Sequence, residues 1–130
     1  MGATRDVALT ELPIRGISIN DATTGSAAVT VVASDSGVIF WNQYASATTY
    51  TLPTAALGKG KWFWFFNQGA GGMVISDGEV DTIVGLNGAA FDTLTFSTGS
   101  AMIGAACLAI SDGTYWAVIP FAGGTATFGG

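Results

Sequence analysis

The chain has 130 residues, of which 10% are charged, against about 25% in an ordinary globular domain. Only four residues are Lys or Arg and the net charge is −5, which excludes the clustered basic surface that nucleic-acid binding requires. A chain of this length predicts a single domain. Two explanations of the sparse charge compete, a surface made soluble by Ser, Thr, Gly and Ala and a surface partly covered by other subunits; the many Ser and Thr residues support the first, and the aromatic run at 61–67 supports the second as well.

Residue types exclude several further classes of function. The longest uncharged stretches, 36–58 and 93–111, are interrupted by polar and turn residues, so neither supplies the roughly 18 apolar residues of a membrane helix. The chain has no histidine and a single cysteine, Cys107, which excludes catalytic triads, Cys–His pairs and zinc sites built from these residues. We expect Cys107 to be a buried apolar side chain, and we expect no cofactor, no nucleic-acid partner and no membrane partner.

The first part of the chain, residues 1–26, shows no sustained helical or strand period. It is predicted to be an extended N-terminal arm with one short strand near residues 17–20. The main domain is predicted to span residues 27–130.

From residue 27 onward, short runs of Val, Ile, Thr and aromatic residues alternate with turn residues. Their recurrence about every ten residues is typical of a sandwich or barrel. The fold class predicted is therefore all-β, a single antiparallel β-sandwich or jelly-roll-like domain of about 8–10 short strands after the arm. One helical turn is expected at 53–58. The predicted strands are 27–33, 37–43, 48–52, 61–67, 72–76, 81–85, 92–97, 101–110, 114–120 and 125–128.

The tetrapeptide ISDG occurs at 75–78 and again at 110–113. An Asp-Gly pair between apolar runs is a hairpin signal, because Asp tolerates the turn and Gly supplies positive φ. We interpret the two copies as repeated turn chemistry and not as an internal duplication, because the flanking residues do not match at any fixed period.

The run KWFWFFN at 61–67 is apolar on both faces of a strand. Alternation predicts Trp62, Trp64 and Phe66 on one face and Phe63 and Phe65 on the other. The run GVIFW at 37–41 repeats this two-sided pattern. A thin sandwich covers only one face of each strand, so we expect a strand face at a subunit contact. The residues predicted for this interface are Phe40, Trp62, Phe63, Trp64 and Phe65.

The acids of DGEVD, Asp77, Glu79 and Asp81, are the most site-like titratable residues. On a strand they would share a face, where three carboxylates could bind Ca²⁺ together with backbone oxygens. We favour a solvated turn, because the segment lacks the longer Asp/Asn pattern of a calcium loop. A glycosidase pair would need a cleft and a raised pKa on one acid, and the sequence indicates neither. We therefore expect no enzymatic activity. The other alternative is a stack of exposed Trp or Tyr side chains that binds glycans.

Several short motifs in a fixed order resemble a β-rich module of bacteriophage virion proteins. In that module a D-S-G strand start leads to a T-L-P turn, a glycine precedes an aromatic or aliphatic strand, an I-x-G turn follows, and a D-G-T-x-W hairpin closes it. The resemblance covers residues 31–122. The matching pieces are SDSGVIFW (34–41), TYTLP (49–53), LGKGKWFWFFN (57–67), VDTIVG (80–85) and ISDGTYWAVI (110–119).

Proteins with this module are capsid decoration (cement) proteins, head fibres and segments of tail fibres, and they are usually trimeric. The resemblance therefore implies a structural protein of the virion, a homotrimer on the head surface with the major capsid protein as partner. Tail fibres normally continue into long shafts, so a chain ending at Gly130 favours a decoration protein over a tail-fibre or head-fibre adhesin. Residues of the arm are the predicted contacts with the shell or a neighbouring subunit, namely Arg5, Val7, Leu9, Leu12, Ile14 and Arg15.

Overall fold

The computed structural model describes residues 14–97, 102–121 and 126–130. Within these ranges the chain forms β-strands and a short 3-10 turn (Ala33–Asp35), which confirms the all-β prediction. No helix in the described ranges is long and apolar enough to cross a membrane. The strands are β1 (Gly16–Asn20), β2 (Ala28–Thr30), β3 (Val38–Asn42), β4 (Thr48–Thr51), β5 (Trp62–Asn67), β6 (Met73–Ser76), β7 (Ile83–Gly85), β8 (Gly88–Phe91), β9 (Thr93–Phe96), β10 (Ala105–Ser111), β11 (Trp116–Pro120) and β12 (Ala126–Gly129).

The strands form two sheets that share one hydrophobic core. Sheet A has the order β1-β3-β5-β10-β11-β7-β8, and sheet B has the order β12-β9-β6-β4-β2. Both sheets are mixed, because β1, β3 and β5 are parallel neighbours, as are β2, β4 and β6. The later strands β9, β10, β11 and β12 add antiparallel pairs. The prediction of an antiparallel arrangement is therefore wrong for the first half of the chain.

The parallel pairs arise because the first six strands alternate between the two sheets. The pairs β1–β2, β3–β4 and β5–β6 form three stacked coils, each passing from sheet A to sheet B before the chain returns. Ile17 lies opposite Ile39, an offset of 22 residues, and Ile39 lies opposite Trp64, an offset of 25 residues. The three coils therefore follow the same path through the two sheets, although they differ in the number of residues.

A ladder of asparagine side chains joins the three coils where each sheet A strand ends. Asn20 Nδ2 donates to Asn42 Oδ1 at 2.9 Å, and Asn42 Nδ2 donates to Asn67 Oδ1 at 3.1 Å. Asn67 Nδ2 in turn donates to the carbonyl of Met102 at 3.1 Å. Asn42 and Asn67 are completely buried, so each bond of the ladder satisfies polar atoms that water cannot reach. The asparagine ladder therefore fixes the register of the coils.

Aromatic side chains fill the core between the sheets. Phe65 of sheet A lies 5.4 Å from Phe40 and 5.3 Å from Tyr50 of sheet B, measured between ring centroids. Trp116 is fully buried, and its Nε1 donates to the carbonyl of Pro53 at 2.9 Å, so its polar atom is satisfied. Cys107 is buried as expected, and this burial raises the pKa of its thiol.

The structure also bears on three other sequence-based expectations. Strand β1 is part of sheet A, so the predicted boundary at residue 26 does not separate an arm from the two-sheet unit. The segment 53–58 makes the expected single turn, in which the N–H of Gly58 donates to the carbonyl of Thr54. Strand β8 was not predicted, because its sequence GAAF has no β-branched residue. The first half of the predicted arm, residues 1–13, lies outside the described residues.

We expect Asn42→Ala to lower the free energy of unfolding by about 2–4 kcal/mol, because the buried amide oxygen of Asn67 loses its donor and the half-buried Asn20 loses one of its acceptors. Urea denaturation measures the change. Gln43→Ala is the matched control, since Gln43 donates to Gln68 in an exposed contact, and it should cost less than about 0.5 kcal/mol. An Asn42→Ala loss as small as that of the control would show that the ladder does not fix the coils.

Candidate functional site

The outer face of sheet B carries small side chains, most of them with a hydroxyl group. Two rows cross its five strands, and none of the side chains in them is charged. Hydroxyl groups are readily hydrated, so this face suits contact with water. The rows are Ala28, Thr49, Val74, Thr95 and Thr127, and Thr30, Thr51, Ser76, Thr93 and Gly129.

The outer face of sheet A is apolar across six of its seven strands. The strand register identifies the side chains of this face, because residues directly opposite each other on neighbouring strands point to the same side of a sheet. We call the resulting set the apolar face. Its rows are Ile17, Ile39, Trp64, Leu108 and Ile119; Ile19, Trp41, Phe66 and Ala106; and Trp62, Ile110, Ala117 and Val84.

Large side chains in the apolar face remain in contact with solvent. Ile17 and Ile19 on the edge strand are 56% and 58% exposed. Toward the centre, the rings of Trp64 and Phe121 stack with centroids 5.0 Å apart and an interplanar angle of 12°, and Phe121 is 54% exposed. These contacts organise the surface without covering it.

The exposed area is large for a monomer. At about 200 Å² for a complete large side chain, the exposed fractions of six residues correspond to roughly 600 Å², which is at the upper end of the largest patch on a typical monomer. The half-buried Trp, Phe and Leu side chains bring the total close to the roughly 800 Å² that each partner contributes to a standard interface. The six residues are Ile17, Ile19, Ile110, Tyr115, Ile119 and Phe121.

A shallow hollow of about 280 Å³ lies at the β11 side of the apolar face. Its wall is mainly apolar, with Tyr115 and Asp112 at the rim. The Asp112 carboxylate accepts hydrogen bonds from the N–H groups of Tyr115 and Thr114, both at 2.8 Å, and these bonds lower its pKa. A charged Asp112 marks the polar margin of the face. The hollow is lined by Val84, Ile110, Ser111, Asp112, Tyr115 and Ala117.

The structure divides the residues predicted for a subunit interface. Trp62 and Trp64 are half-buried members of the apolar face, whereas Phe40, Phe63 and Phe65 are buried in the core of the chain itself. The predicted separation of alternate residues along β5 is confirmed. The assignment of the three phenylalanines to a subunit contact is wrong, because sheet B already covers that side of β3 and β5.

Two of the predicted arm contacts can be placed. Ile14 is 44% exposed just before β1, and Arg15 is exposed but held by its own chain. Arg15 Nη1 donates to the carbonyls of Ser34 and Ser36 at 2.6 and 3.2 Å. The other predicted contacts, Arg5, Val7, Leu9 and Leu12, lie outside the described residues.

The three acids of DGEVD form a structural turn. Asp77 is buried, and its carboxylate accepts from the N–H of Glu79 at 3.0 Å and from the N–H and hydroxyl of Thr82 at 3.0 and 2.8 Å. Glu79 accepts from the N–H of Ala55 at 2.9 Å, while Asp81 is exposed with a φ of 58°. The described ranges contain no group of three His, Cys, Asp or Glu that could hold a metal ion. The three carboxylates therefore do not share the strand face on which the calcium hypothesis was based, and those of Asp77 and Glu79 bind backbone N–H groups.

Sequence reasoning missed much of the apolar face. The contributions of β1, β10 and β11 follow from alternation in GISIN, CLAI and WAVIP, but only the aromatic runs of β3 and β5 were singled out. The signal needed was a two-sided apolar pattern in neighbouring strands, and the strand order that makes them neighbours is not visible in the sequence.

Comparison with known proteins finds no matching family model, no matching curated protein and no matching solved structure. The likeness to phage virion proteins consequently depends on the short motifs alone.

We expect the thermal midpoint to be the same in millimolar Ca²⁺ and in EDTA, since the turn at 77–82 is closed by its own N–H groups. Asp77→Ala should lower the free energy of unfolding by about 2–3 kcal/mol, because buried donors lose their acceptor. The control is Asp81→Asn, which keeps a residue tolerant of positive φ and should cost less than about 0.5 kcal/mol. A midpoint that rises with Ca²⁺ would restore the calcium site.

Proposed function

We propose that the protein is a structural component of a bacteriophage virion that decorates the outside of the head shell as an oligomer. The observation that carries the proposal is the apolar face. A contiguous uncharged surface of this size belongs at contacts between proteins. The ordered motifs shared with phage virion proteins support the virion as the setting, and a β-sandwich is the finer description of the fold that we adopt.

We assign the apolar face to contacts between copies of this chain, with the trimer as the expected assembly. Copies with a net charge of −5 repel each other, and a face without charged side chains lets them meet without placing like charges in contact. The area of roughly 800 Å² is what one partner supplies in a standard interface. Trp62 and Trp64 lie within this contact, together with the isoleucines of β1, β10 and β11.

The mechanism requires binding and no chemical step. A protein that binds the assembled shell and not its separated subunits stabilises the shell by mass action. The hydroxyl-rich face of sheet B then remains toward water. Residues of the arm, from Arg5 to Arg15, are the proposed contacts with the major capsid protein, and no nucleic acid, membrane or cofactor is involved.

A glycan-binding fibre or adhesin is the second candidate, and one observation favours it. Trp41 Nε1 and Gln43 Nε2 both donate to Gln68 Oε1, and Gln43 and Gln68 line a shallow hollow of about 250 Å³ together with Ala22 and Gly69. An aromatic ring next to amide groups suits a neutral sugar. Specific binding on a glycan array that is lost in Trp41→Ala without loss of the oligomer would favour the adhesin.

For self-association, we expect sedimentation equilibrium to give a trimer at micromolar concentration. Ile119→Glu, which places a charge in the apolar face, should shift the protein to monomer while its circular dichroism stays unchanged. Thr127→Glu is the matched control on the exposed face of sheet B and should remain trimeric. A wild-type monomer at this concentration would contradict the assignment of the face to contacts between copies.

For the role on the head, we expect the purified protein to co-sediment with empty phage heads. Removing residues 1–13, which precede the described ranges and spare Arg15 and β1, should leave the domain folded and abolish this binding. A failure of the intact protein to bind heads would refute decoration. Binding by the shortened protein would refute only the role of the arm.

A further inference from the structure

The exposed side chains of the apolar face are concentrated on two sides of it. On the β1 side, Ile17 and Ile19 are 56% and 58% exposed. On the β11 side, Ile119 and Phe121 are 44% and 54% exposed, whereas Trp64 between the two sides is half-buried. The apolar face therefore offers two separate contact areas, the β1 side and the β11 side.

The two sides correspond in height along the strands. The row that begins with Ile17 ends with Ile119. The row that begins with Ile19 reaches Ala106, whose carbonyl accepts a hydrogen bond from the N–H of Phe121 at 2.8 Å. Each exposed isoleucine of β1 thus lies level with an exposed apolar side chain on the β11 side.

Opposite charges lie at one end of sheet A, on different sides of the face. Arg15 directly precedes β1, and its N–H donates to the carbonyl of Gly37, just before β3 begins. Asp112 directly follows β10 at the rim of the hollow, and β10 ends beside the beginning of β5. Three strand steps separate β1 from β10, or about 14 Å at about 4.8 Å per step. The positive charge and the negative charge are therefore far apart within one chain.

The hollow beside Asp112 suits the side chain of an arginine. Ala117 in its wall is a small residue between the larger Ile110 and Val84 of the same row. An apolar cavity of about 150 Å³ holds a benzene-sized group, so a hollow of about 280 Å³ accommodates the methylene stem of an arginine with the guanidinium at the rim. Lys59 contributes positive charge near Asp112 in the same chain, but a carboxylate has two oxygens and accepts from several donors.

Cyclic symmetry limits how the two sides can meet. In a cyclic trimer, one surface of each copy contacts a different surface of the next copy. Rotation about an axis parallel to the strands keeps each row at its height, so the isoleucines of β1 meet Ile119 and Phe121. The same rotation brings Arg15 to the end of the sheet that holds Asp112. A two-fold axis perpendicular to the strands would place Arg15 at the other end of the partner's sheet, so the charges favour the parallel arrangement.

We propose that strand β1 of one copy packs on the β11 side of a second copy of this chain, with the strands of the two copies parallel. The isoleucines of β1 contact Ile119 and Phe121, and Arg15 enters the hollow and pairs with Asp112. Each copy uses both sides, which closes a ring of three. This contact rests on the self-association proposed above, and among the arm residues it assigns Arg15 to the neighbouring copy and not to the shell.

The test is a crosslink between Ile17→Cys and Ile119→Cys in one chain. Four strand steps, or about 19 Å, separate β1 from β11, which is beyond the reach of a short bis-maleimide, so a link forms only between copies. Cys107 is buried and its pKa is raised, so it should not react. A denaturing gel should show covalent trimers as the largest species, because three links close the ring.

Matched variants distinguish this contact from other arrangements. Ile17→Cys alone and Ile119→Cys alone should stay uncrosslinked, whereas a two-fold contact would link one of them into dimers. Ile17→Cys combined with Thr127→Cys, on the exposed face of sheet B, should also stay uncrosslinked. Dimers from a single variant, or a sedimenting trimer in which the 17–119 pair does not link, would overturn this contact and leave self-association intact. A wild-type monomer would overturn both.

A second measurement needs no cysteine and tests the charge pair. Arg15→Gln keeps N–H donors for the carbonyls of Ser34 and Ser36 and removes the positive charge. The dissociation constant of the trimer should rise about two- to fivefold at low salt, and this difference should vanish near 1 M NaCl. Lys61→Gln is the matched control, since it removes the same charge just before β5, and it should have a smaller effect. Equal effects of the two substitutions would contradict the pairing of Arg15 with Asp112.

Discussion

The buried amide contacts of Asn20, Asn42 and Asn67 are the constraint on which the arrangement of both sheets depends. Side chains of a strand alternate between faces, so a slip of one residue would exchange the two sides of β3 and β5. Amides in the core need partners at fixed positions, and a slip would break the bonds from Asn20 to Asn42 and from Asn42 to Asn67. The asparagine ladder ensures that Phe63 and Phe65 face the core.

Because the inner face is fixed, the outer face is fixed as well. Trp62, Trp64 and Phe66 point away from sheet B, and β10 and β11 then extend the same side with Leu108 and Ile119. The scarcity of charged residues therefore has different consequences for the outer faces of the two sheets. The outer face of sheet B has no charged side chains in its two rows but is polar because most of them carry a hydroxyl group. The apolar face of sheet A has neither charged nor hydroxyl-bearing side chains in its rows. Of the two outer faces, only that of sheet A has the composition expected of a surface covered by other subunits.

Strand positions could be predicted from the sequence because they depend on local composition, and alternation along KWFWFFN gave the correct partition of its residues. Pairing could not be predicted in the same way. SIN, FWN and FFN each end a sheet A strand with an asparagine, but the register offsets of 22 and 25 residues are unequal, so a fixed period does not reveal the coils.

The sequence-based assignments of site residues were limited by the same lack of information about strand pairing. Alternation separates two faces without telling which one a second sheet covers, so Phe40, Phe63 and Phe65 were placed at a contact that they do not make. The carboxylates of Asp77 and Glu79 looked available because, apart from the N–H of Glu79, the N–H groups that bind them come from Thr82 and Ala55, residues outside the motif or distant in sequence. Only the three-dimensional path of the chain brings such donors together.

The completeness of the core has a consequence for assembly. In the described ranges, every buried side-chain nitrogen or oxygen has a hydrogen-bond partner within the chain, and the aromatic core is closed by the chain's own two sheets. Folding of one chain therefore does not require a second. Interfaces that bury about 800 Å² per partner have dissociation constants from micromolar to picomolar, depending on how completely their central side chains are removed from water. Since Trp64 is already held by Phe121, it would lose little side-chain freedom in the proposed association, which would follow folding.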